Sequence, residues 1–103
     1  MKEMPRPVIA TLELLERRWA LRLIWELRRD SLGFAELRQR TGASPSVLAQ
    51  RLRELGEEGI VGRGPGRRYR LTSVGRELAP VLYDLNRWSE IAARERGTAI
   101  LEP

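Results

Sequence analysis

The segment from Ser44 to Ile60, SPSVLAQRLRELGEEGI, constrains the fold most, because it predicts a capped helix with one apolar face. Ser44 is a favourable N-cap, and Pro45 suits the first helical position, where a missing N–H costs nothing. On a helical wheel the apolar side chains occupy one arc, and small, amide and cationic side chains occupy the opposite arc. The apolar arc consists of Val47, Leu48, Leu52 and Leu55, and the opposite arc of Ser46, Ala49, Gln50 and Arg53.

The second arc has the chemistry that recognises base pairs in a major groove. A Gln side chain can pair bidentately with adenine, and an Arg side chain with guanine. When the helix is considered alone, an ordinary solvated face explains the same pattern. The segments around the helix must therefore decide between the two interpretations.

The composition predicts one basic domain over residues 1–103. The formal net charge is +5, and every cationic side chain except Lys2 is an arginine. This balance favours an anionic partner, nucleic acid first and an acidic membrane second, although solubility or codon bias also explains it. With no apolar run that could span a bilayer and no signal-peptide pattern, we expect a cytoplasmic protein without a membrane partner.

Cysteine and histidine are both absent from the sequence. Disulfides, thiolate nucleophiles, thiol redox switches and the common zinc-ligand sets are thereby excluded. Glu57 and Glu58 are adjacent carboxylates, but among so many arginines a solvated ion pair explains them better than acid–base catalysis. We expect no enzyme activity, no metal site and no cofactor.

Residues 1–7 contain two prolines and no periodicity, which predicts a flexible arm. A helical pattern begins at Val8 and includes Leu12 and Leu15. We expect a bend at residues 16–18, although no Gly or Pro marks it.

The second helix is predicted from Trp19 to Arg29, with apolar residues on two sides. Leu21 and Trp25 lie opposite a main apolar face formed by Trp19, Ala20, Leu23, Ile24 and Leu27. Such a helix needs two partners: the local core, and either the terminal helices or a second subunit. A fully buried central helix within one monomer is the alternative.

Residues 30–33 predict a turn, with or without a very short strand at its end. Residues Phe34 to Thr41 then predict a short helix anchored by Phe34 and Leu37, and Gly42-Ala43 turns the chain into the Ser44 helix. Two short helices joined by a tight Gly-containing turn, the second exposing Gln and Arg, form the helix-turn-helix pattern.

A β-hairpin is predicted directly after the Ser44 helix. Gly59 can adopt the left-handed conformation that ends the helix, and Ile60 can then contact Leu55. The chain continues into a strand, a Gly64-Pro65-Gly66 turn and a returning strand through Tyr69 and Leu71. This wing carries Arg63, Arg67 and Arg68, which suit phosphates or a minor groove. A charged edge that resists strand aggregation is the alternative.

The last helix is predicted from a Thr72 or Ser73 cap to about Arg94, with a kink near residues 76–79 caused by Pro80. A continuous apolar stripe follows it: Val74, Leu78, Val81, Leu82, Leu85, Trp88 and Ala92. A small domain offers little surface to cover such a stripe, so a second copy of the chain is the expected cover. Packing against the first two helices of the same monomer is the alternative. Residues 96–103 are predicted to be a flexible tail.

These elements resemble the HxlR-type family of winged helix-turn-helix regulators, which are related to the MarR type. The resemblance rests on Trp19 with the apolar helix to Leu27, on FAELRQRTGASPSVLAQRLRELGEEGIV from Phe34 to Val61, and on YRLTSVGRELAPVLYDLNRW from Tyr69 to Trp88. Pro80 corresponds to a proline that these proteins tend to carry in the last helix. The resemblance implies a mainly α fold with a small β-wing, and a transcriptional regulator that binds pseudo-palindromic operator DNA.

The resemblance also implies roles for particular residues. Ser46, Ala49, Gln50 and Arg53 would face bases and nearby phosphates, Ser44 would lie near the backbone, and Arg67 and Arg68 would be wing contacts. Arg51 is ambiguous, since it lies towards the core and can instead bind an acidic neighbour. The homodimer would close through the terminal helices, whose apolar residues include Leu12, Leu15, Leu85, Trp88 and Ala92.

The chain departs from the family pattern in three places. The cysteine through which many members sense oxidants is missing. The wing is shorter than usual, and Arg17-Arg18 replaces a Gly-Gly turn before the tryptophan.

Two other functions fit the same pattern. The first is a winged-helix protein-interaction module that does not bind DNA. The second is a regulator whose aromatic small-molecule effector binds at the dimer interface, in a pocket formed by Trp19, Trp25 and Trp88.

Overall fold

A computed structural model describes residues 3–97 of the chain. Along the chain it contains six α-helices and a two-stranded antiparallel sheet within those residues. The helices are α1 (Arg6–Leu15), α2 (Ala20–Glu26), α3 (Phe34–Thr41), α4 (Pro45–Glu57), α5 (Ser73–Arg76) and α6 (Ala79–Glu95), and the strands are β1 (Val61–Arg63) and β2 (Tyr69–Leu71). This is the expected mainly α fold with a small β-wing. None of the described helices is both long enough and apolar enough to cross a membrane.

One core joins the helix-turn-helix to the wing. Its most deeply buried side chains come from α2, α3, α4 and β2, and they are Leu23, Ile24, Leu37, Leu48, Leu55 and Leu71. The second side of α2 packs on α6, where the Trp25 and Tyr83 rings meet edge to face at 5.5 Å. Of the partners considered for α2, the terminal helix of the same chain therefore covers part of this side.

The ends of α4 are those that the sequence predicts. Ser44 caps the helix, because its Oγ accepts a hydrogen bond from the Val47 N–H at 3.4 Å. At the other end Gly59 is left-handed with φ +75°. The Ile60 N–H then donates to the Leu55 carbonyl at 2.9 Å, the hydrogen bond of a Schellman stop.

The wing is a short hairpin that a third segment extends. Strands β1 and β2 pair in the register Val61 to Leu71, and residues Pro65–Arg67 form a 3-10 turn between them. Leu32 forms a β-bridge with Tyr69, so the turn before α3 does end in a strand-like residue. This bridge attaches the wing to the start of α3.

The bend expected at residues 16–18 is a break between α1 and α2, and both helices differ in length from the prediction. Helix α1 begins at Arg6, two residues before Val8, and ends at Leu15. Helix α2 is shorter than Trp19–Arg29, because Trp19 has a left-handed backbone (φ +76°) and Leu27 already departs from helical geometry. A bulky residue with positive φ is strained, so the corner of residues 16–19 is a sharp joint held by its surroundings.

The prediction of one kinked helix from Thr72 to Arg94 is wrong. The chain forms α5 and α6 as separate helices, and residues 77 and 78 between them make tighter i to i+3 hydrogen bonds of 3.1 and 3.0 Å. Pro80 lies in the first turn of α6, where its missing N–H is tolerated. A proline inside a longer helix would have removed a hydrogen bond, and starting a new helix avoids this loss.

The flexibility predicted for the two ends falls partly outside the described residues. Of the predicted arm, residues 3–7 are described, and Arg6 and Pro7 are helical. Of the predicted tail, only Arg96 and Gly97 lie within the described residues.

Candidate nucleic-acid interface

The polar face of α4 is open, and its opposite side is buried. All four residues of this face, Ser46, Ala49, Gln50 and Arg53, are exposed. On the core side Leu48, Leu52 and Leu55 are at most 3% exposed. Ser44 at the start of the helix is also exposed. The helix is thus anchored by its apolar side and presents an amide, a guanidinium and small side chains to solvent.

Arg53 is the free cation of this face. No ion pair or side-chain hydrogen bond engages it among residues 3–97. With Ala49 it borders a crevice of about 270 Å³ between α4 and the wing, whose other side includes Gly62, Arg63 and Tyr69. The crevice therefore has a guanidinium on each wall.

Arg63 is held against the wing by an aromatic ring. Its Cζ lies 4.2 Å from the centre of the Tyr69 ring, and its Nη2 donates to the Tyr69 hydroxyl at 2.5 Å. Cation–π stacking holds the guanidinium over the ring, and the guanidinium keeps its positive charge. Arg67 lies at the exposed turn of the hairpin with φ +59°.

Arg68 differs from the other wing arginines because the fold engages it. Its guanidinium donates to the Ser31 carbonyl at 2.8 Å and forms an ion pair with Glu36 at 3.1 Å. A hydrogen bond from the Gly33 N–H and the charges of Arg68 and Arg40 hold the pKa of Glu36 below its ordinary value. Arg68 thus braces the wing against the start of α3 while remaining 44% exposed.

The outward side of α3 is exposed as well, and its residues were not among the predicted site residues. Ala35, Arg38 and Gln39 are exposed at i, i+3 and i+4, and they line a shallow depression that continues into Gly42 and Ala43 in the turn before α4. The spacing of these residues was the available signal. The basic surface therefore extends from α4 across α3.

A carboxylate lies at the edge of the polar face of α4. Glu54 forms ion pairs with Arg17 at 3.1 Å and with Arg51 at 3.2 Å, and it accepts a hydrogen bond from the Gln50 amide at 3.4 Å. Burial alone would raise the pKa of Glu54, but the two guanidiniums outweigh it and the pKa is lowered. Of the two roles considered for Arg51, binding an acidic neighbour is the one observed.

The terminal helices carry apolar side chains that residues 3–97 leave exposed. Among the ten residues of α1 none is buried, and Leu12 is 48% exposed, while Leu15 is half-buried. On α6, Leu85 is 47% and Trp88 58% exposed. Ala92 is half-buried, whereas the next residue, Ala93, is buried. Ile9 on α1 and Tyr83 and Ile91 on α6 are further exposed side chains, which the sequence pattern did not emphasise.

Among the described residues, the groove next to Trp25 is formed without the other two tryptophans. Trp25 lines a shallow groove with Leu21, Leu82 and Leu85, and neither Trp19 nor Trp88 lines it. The Arg28 guanidinium covers the Trp25 ring at 3.7 Å, and that of Arg18 lies 5.2 Å from the Trp19 ring. A pocket for an aromatic effector at a dimer interface stays a prediction.

Comparison with known proteins decides the family. The family model of HxlR-like helix-turn-helix proteins matches residues 14–96. The chain belongs to the HxlR-like helix-turn-helix family. It is 34% identical over 84 residues to the uncharacterised HTH-type transcriptional regulator YvaP of Bacillus subtilis, a match that covers 75% of this chain and 78% of the relative.

Solved structures of similar proteins have the same fold. The quinone-bound regulator YodB of Bacillus subtilis is 30% identical with a TM-score of 0.79, over 84% of this chain and 98% of that one. A MarR-family regulator from Enterococcus faecalis is 30% identical with a TM-score of 0.77, over 94% of this chain and 96% of that one. This HxlR-like chain is thus a winged-helix transcriptional regulator, as the sequence predicts. Its family and relatives are regulators and not enzymes.

Proposed function

We propose that this HxlR-like regulator binds operator DNA as a homodimer, with the polar face of α4 in the major groove. The observation that carries the proposal is the orientation of α4: Leu48, Leu52 and Leu55 are buried, while Gln50 and Arg53 are exposed and Arg53 is unpaired among residues 3–97. A chromosomal operator as the partner implies a cytoplasmic location.

The residues around α4 suit phosphate contacts. Arg67 at the wing turn and Arg38 on α3 are both exposed. Arg68 is a weaker candidate than the sequence suggests, because Glu36 already neutralises part of its charge. Displacing cations from several phosphates makes binding salt-dependent, with a logarithmic slope of about 0.9 per phosphate contacted.

The homodimer is supported by the uncovered faces of α1 and α6. Leu12, Leu85 and Trp88 are each about half exposed. Fully burying an exposed apolar side chain contributes about 1.5–3 kcal/mol, so covering the remaining half contributes roughly 1 kcal/mol each. A two-fold axis through these helices would set two α4 faces along one duplex, with half-sites about 34–36 Å apart. Symmetric pairing of this kind accounts for a pseudo-palindromic operator.

Selection of bound sequences from a random DNA pool tests the proposal. We expect a symmetric motif, and Arg53→Ala should weaken binding to it by about 1–3 kcal/mol while relaxing the preference at one base pair per half-site. Arg87→Ala is the matched control, since Arg87 is a 76% exposed arginine on α6 away from α4. It removes the same charge and should preserve the motif.

Three results would overturn parts of the proposal. Equal losses on all sequences after Arg53→Ala would make Arg53 a phosphate contact. A selected motif without symmetry, bound by a monomer in sedimentation, would remove the homodimer. If no DNA is bound at any salt concentration, the protein-interaction module becomes the function to test.

A further inference from the structure

Glu54 connects the polar face of α4 to the corner between α1 and α2. Its Oε2 accepts from Gln50 Nε2 at 3.4 Å and pairs with Arg17 at 3.1 Å, and its Oε1 pairs with Arg51 at 3.2 Å. Arg17 belongs to the corner, whereas Gln50 and Arg51 belong to α4. One carboxylate thus holds three donors from two parts of the chain.

A second contact joins the same two parts. Arg51 Nε donates to the carbonyl of Arg18 at 2.9 Å, and the Arg51 side chain is only 18% exposed. The corner also contains Trp19 with its positive φ. A strained backbone persists only where the surrounding contacts determine it, and the contacts of Glu54 and Arg51 are among those at this corner.

The contact with Glu54 has a consequence for the Gln50 amide. A glutamine amide has two N–H donors and one acceptor oxygen, and bidentate pairing with adenine uses one N–H and the oxygen. Glu54 accepts one N–H, so the second N–H and the oxygen remain for a base. Rotating the amide by half a turn would bring its oxygen against the carboxylate, where two acceptors repel. The carboxylate therefore selects one of the two amide orientations.

We propose that Glu54 is a positioning residue that sets the amide orientation of Gln50, and that Arg17 makes this orientation depend on the α1–α2 corner. This inference rests on the proposed DNA-binding function. It adds that the base preference at the position contacted by Gln50 depends on two residues that need not touch a base. Because α1 leads directly into the corner, a change in the direction of α1 would reach the base-contacting side chain through these ion pairs.

The side-chain amide resonances of the free protein give a test without DNA. The sequence contains two glutamines, Gln39 and Gln50, and one asparagine, Asn86, so the NMR spectrum has three side-chain amide pairs. We expect Glu54→Ala and Arg17→Met, neither of which adds a side-chain amide, to shift the Gln50 pair and to leave the Gln39 pair in place. An unmoved Gln50 pair in both folded variants would overturn the inference, whatever the DNA result.

Selection from a random DNA pool gives the functional test. A Gln50→Ala variant first identifies the base pair that Gln50 contacts. We expect Glu54→Ala to reduce the preference at that base pair at least fivefold, while non-specific affinity and its salt dependence increase, because two guanidiniums lose their counter-charge. A merely structural role for Glu54 would weaken binding to all sequences instead.

Arg17→Gln and Arg22→Gln form a matched pair. The two arginines are 46% and 48% exposed, and each pairs with one glutamate, Glu54 at 3.1 Å and Glu26 at 2.8 Å. We expect only Arg17→Gln to change the preference at the Gln50 base pair, and both to lower affinity uniformly by a similar factor. Equal effects of the two variants on base preference would overturn the role of the corner.

The outcomes separate this inference from the proposed function. If the wild-type chain selects no motif, the proposed function fails, and the amide resonances still decide whether Glu54 orients Gln50. If the wild-type chain selects a motif that Glu54→Ala and Glu54→Gln both retain at the Gln50 base pair, the inference fails alone. The isosteric Glu54→Gln variant covers the case in which Glu54→Ala does not fold.

Discussion

Helices α4 and α6 have the same kind of amphipathic sequence and opposite surroundings. Helix α4 buries Leu48 completely and Leu55 to within 1%, whereas α6 leaves Leu85 and Trp88 about half exposed. The difference lies in what each helix meets: α4 packs into the core that α2, α3 and the wing already form, and α6 lies at its edge with Leu82 as its contribution. An apolar stripe therefore predicts that a helix face is buried, but it does not identify the segment or subunit that buries it.

The two regions also differ in which segments their ion pairs connect. In the helix-turn-helix region Glu54, Glu36 and Glu26 each join two separate segments of chain by ion pairs. On α6 the ion pair Asp84 to Arg87, 3.7 Å long and about three-quarters exposed, stays within one helix. Buried apolar side chains and ion pairs between segments thus both stabilise the helix-turn-helix region.

The largest expected difference is between Leu48→Ala and Leu85→Ala. Leu48 is fully buried, so its truncation should cost about 2–5 kcal/mol of unfolding free energy. Leu85 is 47% exposed, and at low protein concentration its truncation should cost less than about 1 kcal/mol. Urea denaturation at dilute protein measures both. Similar losses at dilution would show that α6 belongs to the core after all.

The next comparison places the same substitution in α5 and in α4. A Cβ on Gly75 would lie within van der Waals overlap of the Ile60 carbonyl oxygen, so Gly75→Ala should cost about 1–3 kcal/mol. A Cβ on Gly56 would meet its nearest atom, the Val61 carbonyl oxygen, at 3.7 Å. Gly56→Ala should therefore stabilise by up to about 1 kcal/mol. Thermal unfolding of both variants checks the opposite signs, and a tolerated Gly75→Ala would mean that α5 can move away from the wing.

A smaller effect is expected on self-association. Replacing Trp88 by Ala should weaken dimerisation about tenfold, equivalent to about 1.4 kcal/mol, because Trp88 is 58% exposed in the single chain. Arg87→Ala, one residue earlier on the same helix, is the control. Sedimentation over a dilution series measures both, and an unchanged dimer constant for Trp88→Ala would place the interface elsewhere.

The smallest expected effect is on the pH dependence of stability. The pKa values of Glu54 and Glu36 are lowered from 4.5, so each carboxylate contributes stability above that pH and loses the contribution as the pH falls through the lowered value. Glu54→Gln and Glu36→Gln should each be less stable than wild type at pH 7, and about equal to it at low pH. Urea denaturation at both pH values measures the differences.

The salt concentration should distinguish Glu54→Gln from Glu36→Gln. The lowered pKa of Glu54 depends on the charges of Arg17 and Arg51, while the largest cause for Glu36 is a hydrogen bond from the Gly33 N–H. Concentrated salt should therefore reduce the effect of Glu54→Gln more than that of Glu36→Gln. The reverse order would contradict the assignment of these causes.

Local sequence signals predicted the helix-turn-helix region well. The bounds of α3 agree with Phe34 to Thr41, Ser44 caps α4 and Gly59 ends it. Each of these depends on side chains within a few residues of one another, so the nearby sequence contains the physical cause. The separation of α5 from α6 was missed, because a proline at a predicted kink is equally compatible with a new helix start.

Contacts between residues far apart in the sequence could not be predicted from local sequence signals. Arg68 was predicted on the wing surface, and its contact with Ser31 spans 37 positions. The contact of Arg51 with Arg18 spans 33. An arginine has several partners within reach of its long side chain, and only the packed arrangement decides which carboxylate or carbonyl is closest.

By itself the sequence determined the element types, the winged-helix order and the chemistry of the polar face of α4, since periodicity, caps and turn residues act over one or two helical turns. The tertiary structure alone decided which apolar faces the chain covers and which cations remain free, including the strained Trp19 corner and its connection through Glu54 to Gln50. These properties depend on contacts between segments that are far apart in the sequence. Such segments meet only when the shared core packs and the long loops between them close, which costs entropy.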